Sequence, residues 1–321
     1  MDKGSVFKTW RQDDHHLQKL SELLDKQKIS TIANDESQSE IKDKLKTFFD
    51  TSSAILPNIS DFINYTHCWP KDWLGADFNN KCNIYGVNYN SILTYWDSVS
   101  DKKSGSNNTI KMRSNDLRKQ LEMANIGKKP IVWIVHSMGG LILKQLLLNM
   151  SNSSDRSSIL DNTKGILFFS TPHLGSTFAK RALHLSYALL PSQEIEDLAL
   201  DNKYLKLLNE DFIELAKGKN WKIVSFCEKF SSHVGYNLWV KLVPEHSAQL
   251  PSELSEFTVL ETDHFYICKP DTRESIIYRS AVNLINIVYA EYMKKMTKDI
   301  ELKKDDKNGF YENNFFKELS I

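Results

Sequence analysis

Residues 128 to 150 read KKPIVWIVHSMGGLILKQLLLNM: an apolar run ends at a serine between short words of small and polar residues, and a helical pattern begins at once. A serine hydroxyl is a weak nucleophile until it is lifted into the open and given a base. A strand, a sharp turn and a helix meet the first need. The turn pushes the hydroxyl above the sheet, glycines let the backbone bend without a clashing Cβ, and the helix N-terminus turns N–H groups toward developing negative charge. Ser137 sits at the apex, and the N–H of Met138 is the expected oxyanion donor. The usual spacing is Gly-x-Ser-x-Gly, whereas this chain has Val135, His136, Ser137, Met138 and Gly139, followed by Gly140, so a valine crowds the turn. The alternative for Ser137 is an N-cap serine following a buried strand.

The same chemistry demands a general base late in the chain, preceded by an acid, in the order serine, acid, histidine. Among nine histidines, His264 in ETDHFYICKP follows the last apolar strand and precedes the C-terminal helical pattern, which makes it the expected base. His246, in VPEHSAQL, is the rival, but too few elements follow the acid loop before it. Glu228 comes directly after the apolar run 222–226, where a carboxylate can hold an imidazole tautomer and stabilise the imidazolium. Asp263 and Glu245 are the alternative acids, although a sequence neighbour such as Asp263 generally cannot also face the ring of His264. His136 and His173 are candidates for lining the pocket. For His173, in STPHLGS, the alternative is a loop histidine bracing the turn around Pro172 and Gly175. Such a set works without a metal or cofactor, and Cys68, Cys82, Cys227 and Cys268 have no metal-ligand spacing.

Side chains so far apart in sequence need a scaffold that brings strand ends together. Brief runs rich in Ile, Val and Phe at 83–87, 131–135, 165–169, 222–226 and 240–243 alternate with helical patterns at 116–124, 141–150 and 275–294, which is the grammar of βαβ units. The expected fold is the α/β-hydrolase fold, a mostly parallel sheet flanked by helices. Residues 1–30 form its N-terminal segment, 31–60 a polar insert and 61–294 the core, with a charged tail at 295–321 that frays. A helical cap-like insert is expected at about 177–220. Its leucines, Leu183, Leu185, Leu189 and Leu190, read as core packing before a membrane-facing lid, as do the aromatics Trp69, Trp73, Tyr85, Tyr89 and Trp96 before a lipid pocket.

Composition is compatible with this reading: 321 residues with 41% hydrophobic and 11% aromatic content can bury one large core. Lys plus Arg equal Asp plus Glu at 41 each, so the basic field that usually accompanies nucleic-acid binding is missing. The scattered cysteines fit free thiols in a reducing compartment better than a disulfide framework. Neither a signal peptide nor a run of ~20 apolar residues is present, so nothing here is expected to anchor the chain in a membrane.

Several separated words make the chain resemble the serine-active-site-containing protein family, lipase-like α/β hydrolases linked to phospholipid remodelling. They are FKTWRQDD at 7–14, CWPKDWL at 68–74, the tyrosine-rich stretch 84–96, PIVWIVHSMGGLILK at 130–144, STPHLGS at 170–176, and DH with ICKP at 263–270. By position, the resemblance places the nucleophile on Ser137, the base on His264 and the acid on Glu228. It implies a lipid or other acyl-ester substrate of the phosphatidylglycerol type, peripheral membrane contact, and a setting where mitochondria meet the endoplasmic reticulum. In relatives the FKTWRQ word follows an apolar strand ending in His-Gly that supplies part of the oxyanion hole and, further upstream, targeting and anchoring segments. MDKGSV cannot be that strand. The expectation is therefore either a longer protein or a sheet lacking one N-terminal core strand, with a weak or binding-only hydrolase as the alternative to an active one.

Overall fold

Strands in this chain form where an apolar run finds a ladder partner on at least one side. The computed structural model describes residue 10 and residues 68–79, 81–87, 109–153, 157–179, 198–233 and 239–318, with burial followed along the C-terminal helix to residue 298. In chain order the main elements are α1 (Thr109–Met123), β1 (Ile131–His136), α2 (Met138–Ser151), α3 (Ser158–Asn162), β2 (Thr163–Phe169), α4 (Lys203–Lys217) and β3 (Lys222–Glu228). They continue with β4 (Ser232–His233), β5 (Trp239–Val240), α5 (Glu245–Ala248), β6 (Ser255–Leu260) and α6 (Ile276–Glu318). Contacts divide the chain into two compact units, Met1–Asn90 with Cys268–Ser275, and Ser91–Ile267 with Ile276–Ile321.

In the larger unit β1, β2, β3 and β6 form a parallel sheet in that order, with β2 and β3 central and nearly fully buried. This is the doubly covered parallel sheet of the α/β-hydrolase fold, and its strands read as apolar runs because both faces pack. Helix α2 is buried almost all round, through Leu141, Ile142, Leu143, Leu146, Leu147 and Met150. Helices α1 and α4 pack on it. The second half of the expected cap, α4, starts at the Asn202 cap, whose side chain accepts from the Tyr204 N–H. It buries Leu205, Leu208, Phe212 and Ala216 at helical spacing, so it belongs to the core layer. Helix α6 lies along β1 and β2 and buries Ile277, Tyr278, Ala281, Leu284 and Val288.

Three expectations change. Residues 83–87 form no strand: they are exposed, with Ile84 and Tyr85 at 42% and 62%, and find no ladder partner among the described residues, and β-propensity without one does not hold a strand. At 240–243 only Val240 is in a strand, paired through β5 with β4, while the Val243 N–H turns to a side chain described below. The tail does not start at 295 as a separate segment. Helix α6 continues to Glu318, with no proline in its Lys-rich run to interrupt it. Among the described residues β1 has one ladder neighbour, β2, and all six of its residues are half-buried. The expected 1–30 segment apart from Trp10, the 31–60 insert, Leu183 to Leu190, Tyr89 and Trp96 lie outside the described residues.

The smaller unit gathers words that are distant in sequence. The Trp69 indole is fully buried, donates to the Cys268 carbonyl at 2.9 Å and meets the Trp10 ring edge-on at 5.8 Å. Arg273 lies 5.7 Å above the Trp73 ring and pairs with Asp77 at 3.3 Å. Trp10 of FKTWRQDD, Trp69 of CWPKDWL and Cys268 of ICKP thus meet in one packing cluster.

Gly140 shows how closely α2 is seated. A Cβ there would run into the Thr171 side chain, 2.6 Å from its Cγ2 and 2.9 Å from its Cβ, at a site where Thr171 is buried. Gly140→Ala is expected to lower stability by about 1–3 kcal/mol through overpacking. Thermal melts check it: an unchanged midpoint would mean that the loop after β2 yields freely.

Candidate active site

The register of the sheet lines up the ends of its strands. Ser137 N–H donates to Phe169 O at 2.9 Å and Ser170 N–H to Phe226 O at 2.8 Å, continuing the ladders past β1 and β2. Ser137 therefore sits one step beyond β1 and directly ahead of α2, at φ +52° and ψ −129°, a conformation L-residues rarely adopt. The elbow expected around HSMGG forms despite Val135, with the bend carried by Ser137 itself. Met138, as the first residue of α2, has no helical carbonyl for its N–H, which leaves that donor at the nucleophile. A negative charge developing on a substrate oxygen there also meets the positive end of the helix.

The structure brings the three expected residues together from β1, β3 and the loop after β6. Ser137 Oγ lies 2.9 Å from His264 Nε2, and His264 Nδ1 lies 3.4 Å from Glu228 Oε1. The first distance is a hydrogen bond. The second is a long, poorly aligned ion-pair contact that leaves Nδ1 without a hydrogen-bond partner among the described residues, a looseness common before substrate tightens a site. Glu228 is the last residue of β3 and is fully buried. Its Oε1 accepts the Val243 N–H at 2.7 Å, which explains why 240–243 leaves the sheet. Burial pushes the Glu228 carboxyl up, but the His264 ring and its charge close by, the nearby Ser170 hydroxyl and the Val243 N–H together hold it below the usual carboxylate range. It is thus ionised at neutral pH, as an orienting acid must be.

The His264 main chain is tied from two sides. Its N–H donates to Ser232 Oγ at 3.1 Å, and its carbonyl accepts from His136 Nε2 at 2.8 Å. A carbonyl only accepts, so His136 carries its proton on Nε2. The two imidazole rings lie 4.8 Å apart between centroids. His136, expected from the sequence as a pocket residue, thus braces His264.

The alternatives fall elsewhere. Asp263 turns its Oδ1 to the N–H groups of Phe265 and Tyr266, at 2.8 and 3.0 Å, and caps the turn that carries His264. Glu245 is exposed and pairs with Lys241 at 2.9 Å, and His246 is exposed on α5. Cys227, next to Glu228, is buried, and burial followed by the Glu228 charge pushes its thiol up to about 12, too high for a nucleophile. Among the described residues no three His, Cys, Asp or Glu side chains converge as a metal site, and no helix is long and apolar enough to cross a membrane.

His173 is fully buried, with its ring edge-on to Phe168 at 5.0 Å and its N–H donating to Ser247 O. It faces the interior and makes no open pocket wall. Lys144 of α2 is also fully buried, donates to Asn209 Oδ1 at 2.6 Å and lies 4.6 Å from the Phe212 ring. Burial holds the Lys144 amine well below its ordinary range, and burial with the Lys144 charge does the same to His173. Sequence reasoning passed over Lys144 because its neighbours on α2 are leucines; its place on an otherwise apolar helix was the available signal. The unfolded chain binds the Lys144 proton more tightly, so this residue makes stability rise with pH between its folded and unfolded values. Lys144→Met is expected to raise stability at neutral pH by about 1–4 kcal/mol and to flatten that slope, measured by denaturant titration at several pH values.

No family model matches the chain. It is 33% identical over 282 residues to Protein SERAC1 of Danio rerio, covering 88% of this chain and 37% of the relative. To Protein SERAC1 of Bos taurus it is 34% identical over 290 residues, covering 90% of this chain and 38% of the relative. The chain therefore spans less than two fifths of the length of these relatives. Phospholipase PlaB from Legionella pneumophila is a structural neighbour at 16% identity and a TM-score of 0.40, over 56% of this chain and 41% of that one. Along nearly its whole length the chain is similar in sequence to a stretch of the SERAC1 proteins, and its parallel sheet with a strand–serine–helix elbow is that of the α/β-hydrolase fold.

Proposed function

We propose that this chain is a serine hydrolase that cleaves acyl esters, with Ser137 as nucleophile, His264 as general base and then acid, and Glu228 as the orienting acid. The observation that carries the reading is the 2.9 Å contact between Ser137 Oγ and His264 Nε2, with a buried carboxylate behind the ring. His264 takes the hydroxyl proton as Oγ attacks the ester carbonyl. The carbonyl oxygen becomes an oxyanion facing the Met138 N–H. His264 then returns the proton to the leaving alcohol, and the same ring activates water to free the acid from the acyl-enzyme. Glu228 stays ionised and offsets the imidazolium charge.

The substrate class proposed is a lipid ester, and more narrowly a phosphatidylglycerol-type phospholipid reached by peripheral contact with mitochondrial and endoplasmic reticulum membranes. Its support is the family resemblance of the sequence words and the match to SERAC1 proteins. A second reading, a hydrolase fold retained for binding with little turnover, draws on the long Glu228–His264 contact and on Met138 as the single oxyanion donor identified among the described residues. A fluorophosphonate probe separates the two, because it reacts only with an activated serine. Labelling of the folded protein that disappears in Ser137→Ala supports the hydrolase; a folded protein that takes no label at Ser137 overturns it.

A further inference from the structure

The word STPHLGS opens with a serine that the chemistry above leaves unused. Ser170 directly follows β2, is fully buried and holds φ +42°. A non-glycine residue in that region costs about 1–3 kcal/mol, and glycine would adopt it freely. A buried serine at such a position needs a use for its hydroxyl. Ser170 Oγ accepts the Glu228 N–H at 3.1 Å, which ties the main chain of the acid to the turn after β2. The Glu228 carboxylate is acceptor-only. Its Oε1 is shared between Val243 N–H and His264, and its buried Oε2 has no hydrogen-bond donor among the described residues.

We propose that Ser170 is a positioning residue for the acid of the triad: its Oγ, held on the strained turn after β2, anchors the Glu228 main chain at the end of β3 and so keeps the carboxylate where Oε1 faces His264 Nδ1. The inference rests on the serine-hydrolase reading. Two adjacent strands then end in strained serines with divided work. Ser137, after β1, attacks; Ser170, after β2, fixes the group that orients the base.

A double-mutant cycle tests it on the full chain, using a soluble short-chain acyl ester and the rate of fluorophosphonate inactivation. Ser170→Ala is expected to lower kcat about tenfold with KM little changed, the size expected when a buried N–H loses its hydrogen-bond partner. In a Glu228→Gln background the same substitution is expected to have little further effect, because its target is already gone. Ser170→Gly removes the hydroxyl and relieves the backbone, so it carries the test if the alanine variant folds poorly, and it should lose activity to the same extent. Equal losses in both backgrounds, or an active Ser170→Gly, overturn the proposal in favour of a structural role. If the unmutated protein is not labelled at Ser137, the hydrolase reading fails with it; if it is labelled and Ser170→Ala matches it, only the Ser170 role fails.

Discussion

Replacing Ser137 with alanine is expected to lower kcat/KM for an acyl ester by about 10⁴-fold or more, the scale seen when the nucleophile of such a set is removed. The remaining turnover would come from the Met138 donor and from binding. The loss belongs to chemistry and leaves folding intact. Alanine keeps the Cβ and so keeps the φ +52° strain, and Ser137 makes no side-chain cap bond to α2 whose loss would weaken the helix. Melting midpoints of the serine and alanine proteins should therefore agree. Ser137→Gly should be equally inactive yet melt higher, by the equivalent of about 1 kcal/mol, because glycine takes positive φ without penalty. If Ser137→Gly melts no higher, the strain is relaxed elsewhere. If Ser137→Ala keeps its turnover, the nucleophile is another residue.

Glu228→Gln should have the second largest effect, about 10³–10⁴-fold in kcat, by analogy with acid-to-amide changes in this type of triad. The amide oxygen can still accept the Val243 N–H, so shape and backbone contacts survive. The negative charge that offsets a protonated His264 does not. Stability has a defined pH dependence as well. The Glu228 pKa is depressed in the folded state, so its ionisation stabilises the fold above the ordinary glutamate value of about 4.3 and that contribution fades as pH falls through the folded value. The stability gap between the unmutated protein and the Glu228→Gln variant should be widest near neutrality and close on acidification, as read by denaturant unfolding across pH. A gap that widens at low pH would show that burial outweighs the partners of the carboxylate. A variant with near-normal turnover would move the acid to another residue.

The proposed nucleophile was legible because one short segment contains everything the elbow requires: an apolar strand, a serine, small residues and a helix start. The proposed base was legible from chain order. The acid was harder, since a glutamate after a strand looks the same whether it faces solvent or is buried. What separates Glu228 from Asp263 and Glu245 is burial, and burial is a property of the packed sheet. The strand expected at 83–87 shows the converse limit, because its residues have strand propensity but no ladder partner among the described residues, and pairing is not a local property. Lys144 was hidden for a similar reason: a lone lysine on a leucine-rich helix has an ordinary surface explanation until both neighbouring layers are in place.

Sequence alone therefore determined the strand–serine–helix unit, the order of serine, acid and histidine, and the α/β alternation, all of which follow from short-range periodicity and turn chemistry. The tertiary structure decided which carboxylate faces the base, that His136 braces the His264 loop, that His173 is interior and that Ser170 stands beside the acid. Those contacts join residues 58 and 128 positions apart, as in Ser170 with Glu228 and His136 with His264. Parallel pairing sets them through the register of strand ends, and no local pattern encodes which strand will lie beside which.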